Sequence, residues 1–248
     1  DELPNQRFYV RATFMRKDGV PLDVPALRTA FAHVAAGLPE ADWSLHDLQL
    51  RPRVLLMVSR FDHCLRDLLD SWRQGELPMD IAAVVSNHPD LRPLAEAEGL
   101  PFHHLPVTAE TKPAQEAALL RLIDEQQVEL VVLARYMQVL SAETCGLLAG
   151  RVINIHHSFL PGFKGARPYH QAYERGVKLI GATAHFATHD LDEGPIIEQA
   201  LERVDHAFTP EQLLATGRRI ECLVLARALR YVLERRVFIS GMRTVVLR

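Results

Sequence analysis

Residues 53–59 read RVLLMVS, five apolar side chains in a row between an arginine and a serine. A strand written this way is covered on both faces, as in a parallel sheet, because a half-solvated strand would alternate apolar and polar residues. The same kind of run returns at 80–87 (DIAAVVSN), in short form at 102–107 (FHHLPV), at 128–136 (VELVVLARY) and at 151–157 (RVINIHH). Between these runs lie stretches with helical periodicity, at about Asp62–Arg73, Asp90–Glu98 and Pro113–Gln126. Strands alternating with helices predict an α/β fold, a doubly wound and mostly parallel sheet with right-handed crossovers. After Gly181 the chain turns to two β runs, GATAHFAT and PIIEQALERV, then a long helix over Pro210–Glu234 and a short hairpin around Ser240-Gly241.

Upstream, the pattern differs. Residues 8–15 (FYVRATFM) alternate apolar and polar, as a half-buried strand does. Asp23 is placed to cap a helix carrying Leu27, Ala30, Phe31, Val34 and Ala35 at helical spacing. Residues 41–50 (ADWSLHDLQL) can form a second strand. A strand, a helix and a strand in about 50 residues are too little to bury a core alone. This piece is expected either to pack on the rest or to belong to something larger. The predicted division is 1–50 and 51–248, with the boundary in the stretch Gln49–Pro52.

Composition excludes several classes. The 248 residues carry 28 Lys+Arg against 31 Asp+Glu, a formal charge of -3, which argues against general nucleic-acid binding because that requires a dense basic surface. No apolar run reaches the roughly 18 residues of a membrane span. Cys64, Cys145 and Cys222 are widely spaced, with no C-x-x-C pair. That usage fits a reducing compartment such as the cytoplasm, with no disulfide framework and no structural zinc.

Ligands of open α/β sheets sit beyond the carboxyl ends of the strands. The fifth run ends INIHHSFLPGFKGARP, where Asn154 and His156 are two apart and so face the same side of the strand. An amide and an imidazole placed together can bind one carbonyl oxygen and move one proton. The two prolines and two glycines that follow suit a rigid loop beside a site. A second cluster, HFATHDLDEGPII, offers His185, His189, Asp190, Asp192 and Glu193, and a carboxylate from it could orient the His156 imidazole. Both groups also have plain structural readings, as polar residues at a strand end and in a solvated turn. A metal site from His156, His157, His185, His189 and Asp192 is disfavoured: a spacing of four residues joins two ligands on a helix, but spans about 13 Å along a strand. No metal is expected. After the first strand stands SRFDH (59–63), without the glycines a phosphate cradle needs.

VVLARYMQVLS, INIHHSFLPGFKGARPYHQAYERGVKLIGATAHF and DLDEGPIIEQ together resemble the folate-dependent formyltransferase superfamily, over about Arg53–Leu247. The resemblance implies a Rossmann-like catalytic domain and places the catalytic set on Asn154, His156 and Asp192. Asp192 is selected because it lies seven residues after the histidine of AHF. It also implies a pterin pocket walled by Arg135, Tyr136, Met137, Val139 and Leu140 on one side, and by the loop Ala187–Leu191, with Thr188, His189, Asp190 and Leu191, on the other. Residues 1–50 resemble the back half of an ACT domain, a regulatory module whose first strand and helix this chain lacks, so a partial chain is expected. An amino-acid effector and a homo-oligomer are implied by the same likeness. Within the superfamily, the missing phosphate loop disfavours a ribonucleotide acceptor, and the slightly acidic charge disfavours tRNA. Water remains, so the expected reaction is hydrolysis of 10-formyltetrahydrofolate to tetrahydrofolate and formate, with the folate as substrate and no cofactor, supplying formate for purine synthesis and balancing the one-carbon pool. The alternative is formyl transfer to an amine, as in glycinamide ribonucleotide formyltransferases. His157 then reads as a second group for placing water or as a packing residue.

Overall fold

The computed structural model describes residues 7–38, 40–161 and 168–247, with residues 168 and 170 described by backbone only. The chain divides into two compact units, Asp1–Arg51 and Pro52–Arg248.

In the first unit the expected helix is present as α1 (Val24–Ala35), capped by Asp23, whose carboxylate accepts from the Ala26 N–H at 2.9 Å. Phe31 meets the edge of Trp43 at a centroid distance of 4.8 Å, and Arg28 Nη2 donates to the Leu45 carbonyl at 2.9 Å. The two expected strands are absent: neither 8–15 nor 41–50 joins a ladder, so the described residues lack the strand–helix–strand order of a partial ACT-like α+β unit. Alternation supplies a strand with a face, but a strand also needs a partner for its backbone N–H and C=O groups. Without one, Phe8, Val10, Phe14 and Met15 are left exposed.

The second unit is built on a seven-stranded sheet in the order β3-β2-β1-β4-β5-β6-β7. Strands β1 (Arg53–Val58), β2 (Asp80–Ser86), β3 (Phe102–His104), β4 (Leu130–Leu133) and β5 (Val152–His156) are parallel, and β6 (Leu179–Phe186) runs antiparallel to both of its neighbours, β5 and β7 (Ile196–Arg203). Helices α2 (His63–Arg73), α3 (Arg92–Ala97) and α4 (Lys112–Glu125) form the crossovers among β1–β4. Two short helices were not anticipated, α5 (Ala142–Leu147) and α6 (Pro168–Glu174). The long α7 (Pro210–Leu233) starts with a capping box between Thr209 and Gln212. A hairpin of β8 (Val237–Ser240) and β9 (Arg243–Val246) turns at Gly241, whose φ of +60° suits glycine.

The apolar run of β1 divides its side chains between two cores. Val54, Leu56 and Val58 pack with Leu65, Leu68, Val224, Leu225 and Leu229. Leu55 and Met57 pack with Leu119, Leu122, Cys145 and Leu148. Both faces are therefore buried, which is why the run does not alternate. The chain runs outward from β1 through β2 to β3, then crosses back by α4 to β4 on the other side of β1, and that reversal opens a crevice at the carboxyl ends of β1 and β4, beside β5. Among the described residues no helix is long and apolar enough to cross a membrane.

Candidate active site

The parallel part of the sheet ends at β5, and there the first polar constellation forms. Antiparallel pairing of β5 with β6 sets Asn154 opposite His185 and His156 opposite Thr183, while on the other side of β6 its pairing with β7 has a register irregularity between Ala184 and His185. Ile153 and Ile155 face one core, so Asn154 and His156 share the other side, as their spacing predicts. His185 Nδ1 lies 2.9 Å from the Phe186 carbonyl, which can only accept. The proton therefore sits on Nδ1, and Nε2 accepts from the Asn154 amide nitrogen at 3.2 Å. This aims the NH₂ end of Asn154 and fixes its orientation.

Buried His156 meets Asp192, with Nδ1 3.2 Å from Oδ2, while His185 Nε2 stands 3.7 Å from Oδ1. Asp192 has a φ of +59°, a left-handed conformation uncommon outside glycine and a feature of strained, over-determined sites. Two residues on, a Cβ at Gly194 would run into the Phe186 carbonyl, so this turn needs glycine to press against the end of β6. Burial alone would push the Asp192 carboxyl up, but the hydrogen bond and the charge of His156 outweigh it and hold it well below the usual carboxylate range.

The loop after β4 divides its residues between two tasks. Tyr136 and Leu140 are buried in the core, and Gln115 donates to the Tyr136 hydroxyl at 3.4 Å. Burial, then the Glu116 charge, pushes that phenol up to about 12. Their side chains serve packing rather than forming an open wall. The Met137 N–H donates to Ser59 Oγ at 2.9 Å, and Ser59 donates to Asn87 at 2.6 Å, which ties the loop to the end of β1. Glu116 on α4 accepts from the Ser141 N–H at 2.9 Å, from the Ser141 hydroxyl, and from Thr144 Oγ1 at 2.6 Å, which closes the loop onto α5. Met137 and Val139 stay exposed, as does Leu191 beside Asp192. Apolar side chains left open on loops flanking a polar cluster are what a flat, partly apolar ligand covers. Thr188 Oγ1 donates to the Asp190 carbonyl at 3.0 Å, and His189 pairs with Asp190 at 3.2 Å on the surface. His189 thus turns to Asp190 and not to Asp192. Most of the proline- and glycine-rich loop, Gly162–Arg167, lies outside the described residues.

One part of the site escaped the sequence reading. Arg135, with a φ of +66°, sends its side chain toward Glu221 of α7, where Nε lies 3.3 Å from Oε2. Glu221 is buried and also takes His63 Nε2 at 2.8 Å and the Tyr169 hydroxyl at 2.7 Å. Tyr169 reaches it because residue 217 is glycine, where a Cβ would strike the tyrosine ring. Burial pushes Glu221 up, but the bond from His63, the Arg135 charge and the bond from Tyr169 together hold it below its ordinary value. Arg135 also hydrogen-bonds His157 Nδ1, and the His157 ring stacks on His156 at 5.0 Å between centroids. The signal was a charged residue on the buried stripe Leu213-Gly217-Ile220-Val224 of a long amphipathic helix, but which groups it meets depends on segments far apart in the chain. Among the described residues, His63, Cys64 and Glu221 form the one group of three whose ligand atoms lie within 4.8 Å of one another. Both oxygens of Glu221 already hold His63, Arg135 and Tyr169, so the cluster is organised as an ion pair.

The formyl transferase family matches residues 52–229. The formyltetrahydrofolate deformylase of Corynebacterium sp. (strain P-1) is 53% identical over all of this chain and 86% of its own length. The crystal structure of formyltetrahydrofolate deformylase from Burkholderia mallei ATCC 23344 is 62% identical, with a TM-score of 0.88 over 92% of this chain and 80% of that one. Glycinamide ribonucleotide transformylase 1 from Symbiobacterium toebii is 32% identical, with a TM-score of 0.76 over 84% of this chain and 99% of that one.

Proposed function

This chain belongs to the formyl transferase family, and from that premise we infer that it is an enzyme hydrolysing 10-formyltetrahydrofolate to tetrahydrofolate and formate. The observation that carries the chemistry is the arrangement of Asn154, His156 and Asp192 at the carboxyl end of β5.

Water attacks the formyl carbon, and negative charge gathers on the formyl oxygen. Asn154, its NH₂ end aimed by His185, supplies one donor to that oxygen. Such a donor contributes about 10²–10³-fold. The Asp192 carboxylate faces His156 Nδ1, which leaves Nε2 as the nitrogen that trades protons at the reaction centre. In the attacking step His156 Nε2 takes the proton that water loses, with the Asp192 carboxylate against Nδ1 to balance the charge. In the collapsing step the imidazolium returns that proton to N10, the C–N bond breaks, tetrahydrofolate leaves, and the formic acid released gives up its remaining acidic proton to solvent as formate. The folate ring rests on the loops that carry Met137, Val139 and Leu191, with polar contacts from the backbone of 135–140 and 188–191.

Transfer to an amine is the weaker reading, since the β1–α2 connection is Ser59-Arg60-Phe61-Asp62 and offers no glycine cradle for a phosphorylated acceptor. The deciding measurement is formate release from 10-formyltetrahydrofolate with no amine present. Steady turnover is expected. Release that requires glycinamide ribonucleotide, with the formyl group found on that amine, would overturn the hydrolytic reading.

A further inference from the structure

We propose that Glu221 is a positioning residue for this hydrolysis, acting through Arg135 to set the tautomer of His157 and the charge around His156. The proposal rests on the hydrolytic reading for its consequence in turnover, but not for its geometry. Arg135 is held on three sides, by Glu221 Oε2 at 3.3 Å, by the Phe61 ring at 5.2 Å from its guanidinium carbon, and by His157. A guanidinium only donates, so the His157 Nδ1 that it touches must be an acceptor and the ring proton must sit on Nε2. His157 is thereby kept as a neutral Nε2–H donor stacked on the catalytic imidazole. A His157 ring held in one tautomer and one orientation gives the stacked His156 ring a fixed face to rest on.

The charge balance has the same origin. Among the described residues, the groups facing His156 include Asp192 and, beside it, His185 from the β6 side, His157 on its own segment, and, one ring further, Arg135 from the loop after β4. Glu221 on α7, with His63 on α2, stands behind Arg135. Glu221 neutralises the guanidinium, which leaves Asp192 to govern the protonation of His156. Removing the Glu221 charge alone leaves a cation one ring away from His156, which disfavours the imidazolium.

The test is the pH dependence of formate release for Glu221→Gln, Arg135→Met and the double variant. In Glu221→Gln, kcat falls about ten- to a hundredfold with KM nearly unchanged, the scale for a partner that orients a reacting group without touching substrate. Its pH limb moves to lower pH by roughly half to one unit, the size of a partly screened charge at this remove. In Arg135→Met the limb moves to higher pH. In the double variant the limb returns to the wild-type position while kcat stays low, because His157 has lost its partner. A role in folding alone would not give opposite shifts that cancel. Wild-type kcat and limb in Glu221→Gln, or a double variant with the limb of Glu221→Gln, would overturn the proposal. Histidine ¹⁵N spectra without substrate read the clamp directly and do not depend on turnover. The wild type should show His157 protonated at Nε2 and bare at Nδ1, and Arg135→Met should lose that pattern even where Glu221→Gln fails to fold. A wild type protonated at Nδ1 sinks the clamp whatever the enzyme hydrolyses, whereas an intact clamp in a protein that releases no formate sinks only the hydrolytic reading.

Discussion

Asp192 carries two consequences that can be separated by substitution. Its carboxylate meets His156 Nδ1 and aims that ring, and it brings a negative charge to the site, so Asp192→Asn keeps the shape and removes the charge. Turnover is expected to fall about 10²–10⁴-fold with folate KM within a few-fold, and His156→Ala should do the same. Steady-state formate release checks both, and near wild-type rates in either would refute the assignment. Asn154→Ala removes one donor to the developing oxyanion and should cost about 10²–10³ in kcat. That Asn154 and His156 share one side of β5 was legible from a two-residue spacing at a strand end. Asp192 was not legible from spacing, since it competes with Asp190 in the same turn, and it emerged through family resemblance. His185 read as a landmark, yet the structure makes it the acceptor that orients Asn154. No local pattern reveals that role, because it depends on pairing between β5 and β6.

Elements differ in how far local pattern determines them. All five parallel strands were readable, because continuous apolar runs bounded by turn residues have few alternative uses. In the first unit the capped helix formed as expected, and the two strands did not, because alternation at 8–15 and 41–50 describes a face without supplying a ladder partner. The helices α5 and α6 were missed because, unlike the equally short α3, they lie in the loops that precede and follow β5 and not in a crossover between two parallel strands, where a helix is expected. α5 depends instead on its cap, Ser141, and on Glu116 beneath it. Glu116→Ala leaves the Ser141 N–H and the Thr144 hydroxyl without their acceptor, at a cost of about 1–3 kcal/mol. It should also loosen the loop 135–140 and raise folate KM more than it lowers kcat. Denaturant titration and kinetics on one preparation check both effects, and unchanged KM would show that the loop holds without this anchor. Gly217→Ala puts a methyl group against Tyr169, so overpacking should lower stability by about 1–3 kcal/mol and weaken the Tyr169–Glu221 bond.

For the molecule as a whole, Glu116, Asp192 and Glu221 are all held below their ordinary carboxylate values by hydrogen bonds or neighbouring cations. A depressed folded value stabilises above the unfolded value, about 4, and the benefit is lost as pH falls through the folded values. Thermal midpoints should therefore be nearly flat from about pH 8 to 5 and drop below about pH 4, and Glu116→Gln should flatten that acid drop. A midpoint with the same acid slope in Glu116→Gln would contradict the role given to that carboxylate. By itself, the sequence determined the α/β class, the positions of the buried strands and the residues at the end of β5, since each is written in the periodicity of a few consecutive side chains. Only the tertiary structure decided which expected strands lacked partners, that His185 meets Asn154 and His157 meets Arg135, and that a glutamate on α7 meets an arginine 86 positions earlier. Those outcomes depend on hydrogen bonds and charges between segments brought together by the sheet order, and no stretch of chain contains both members of such a pair.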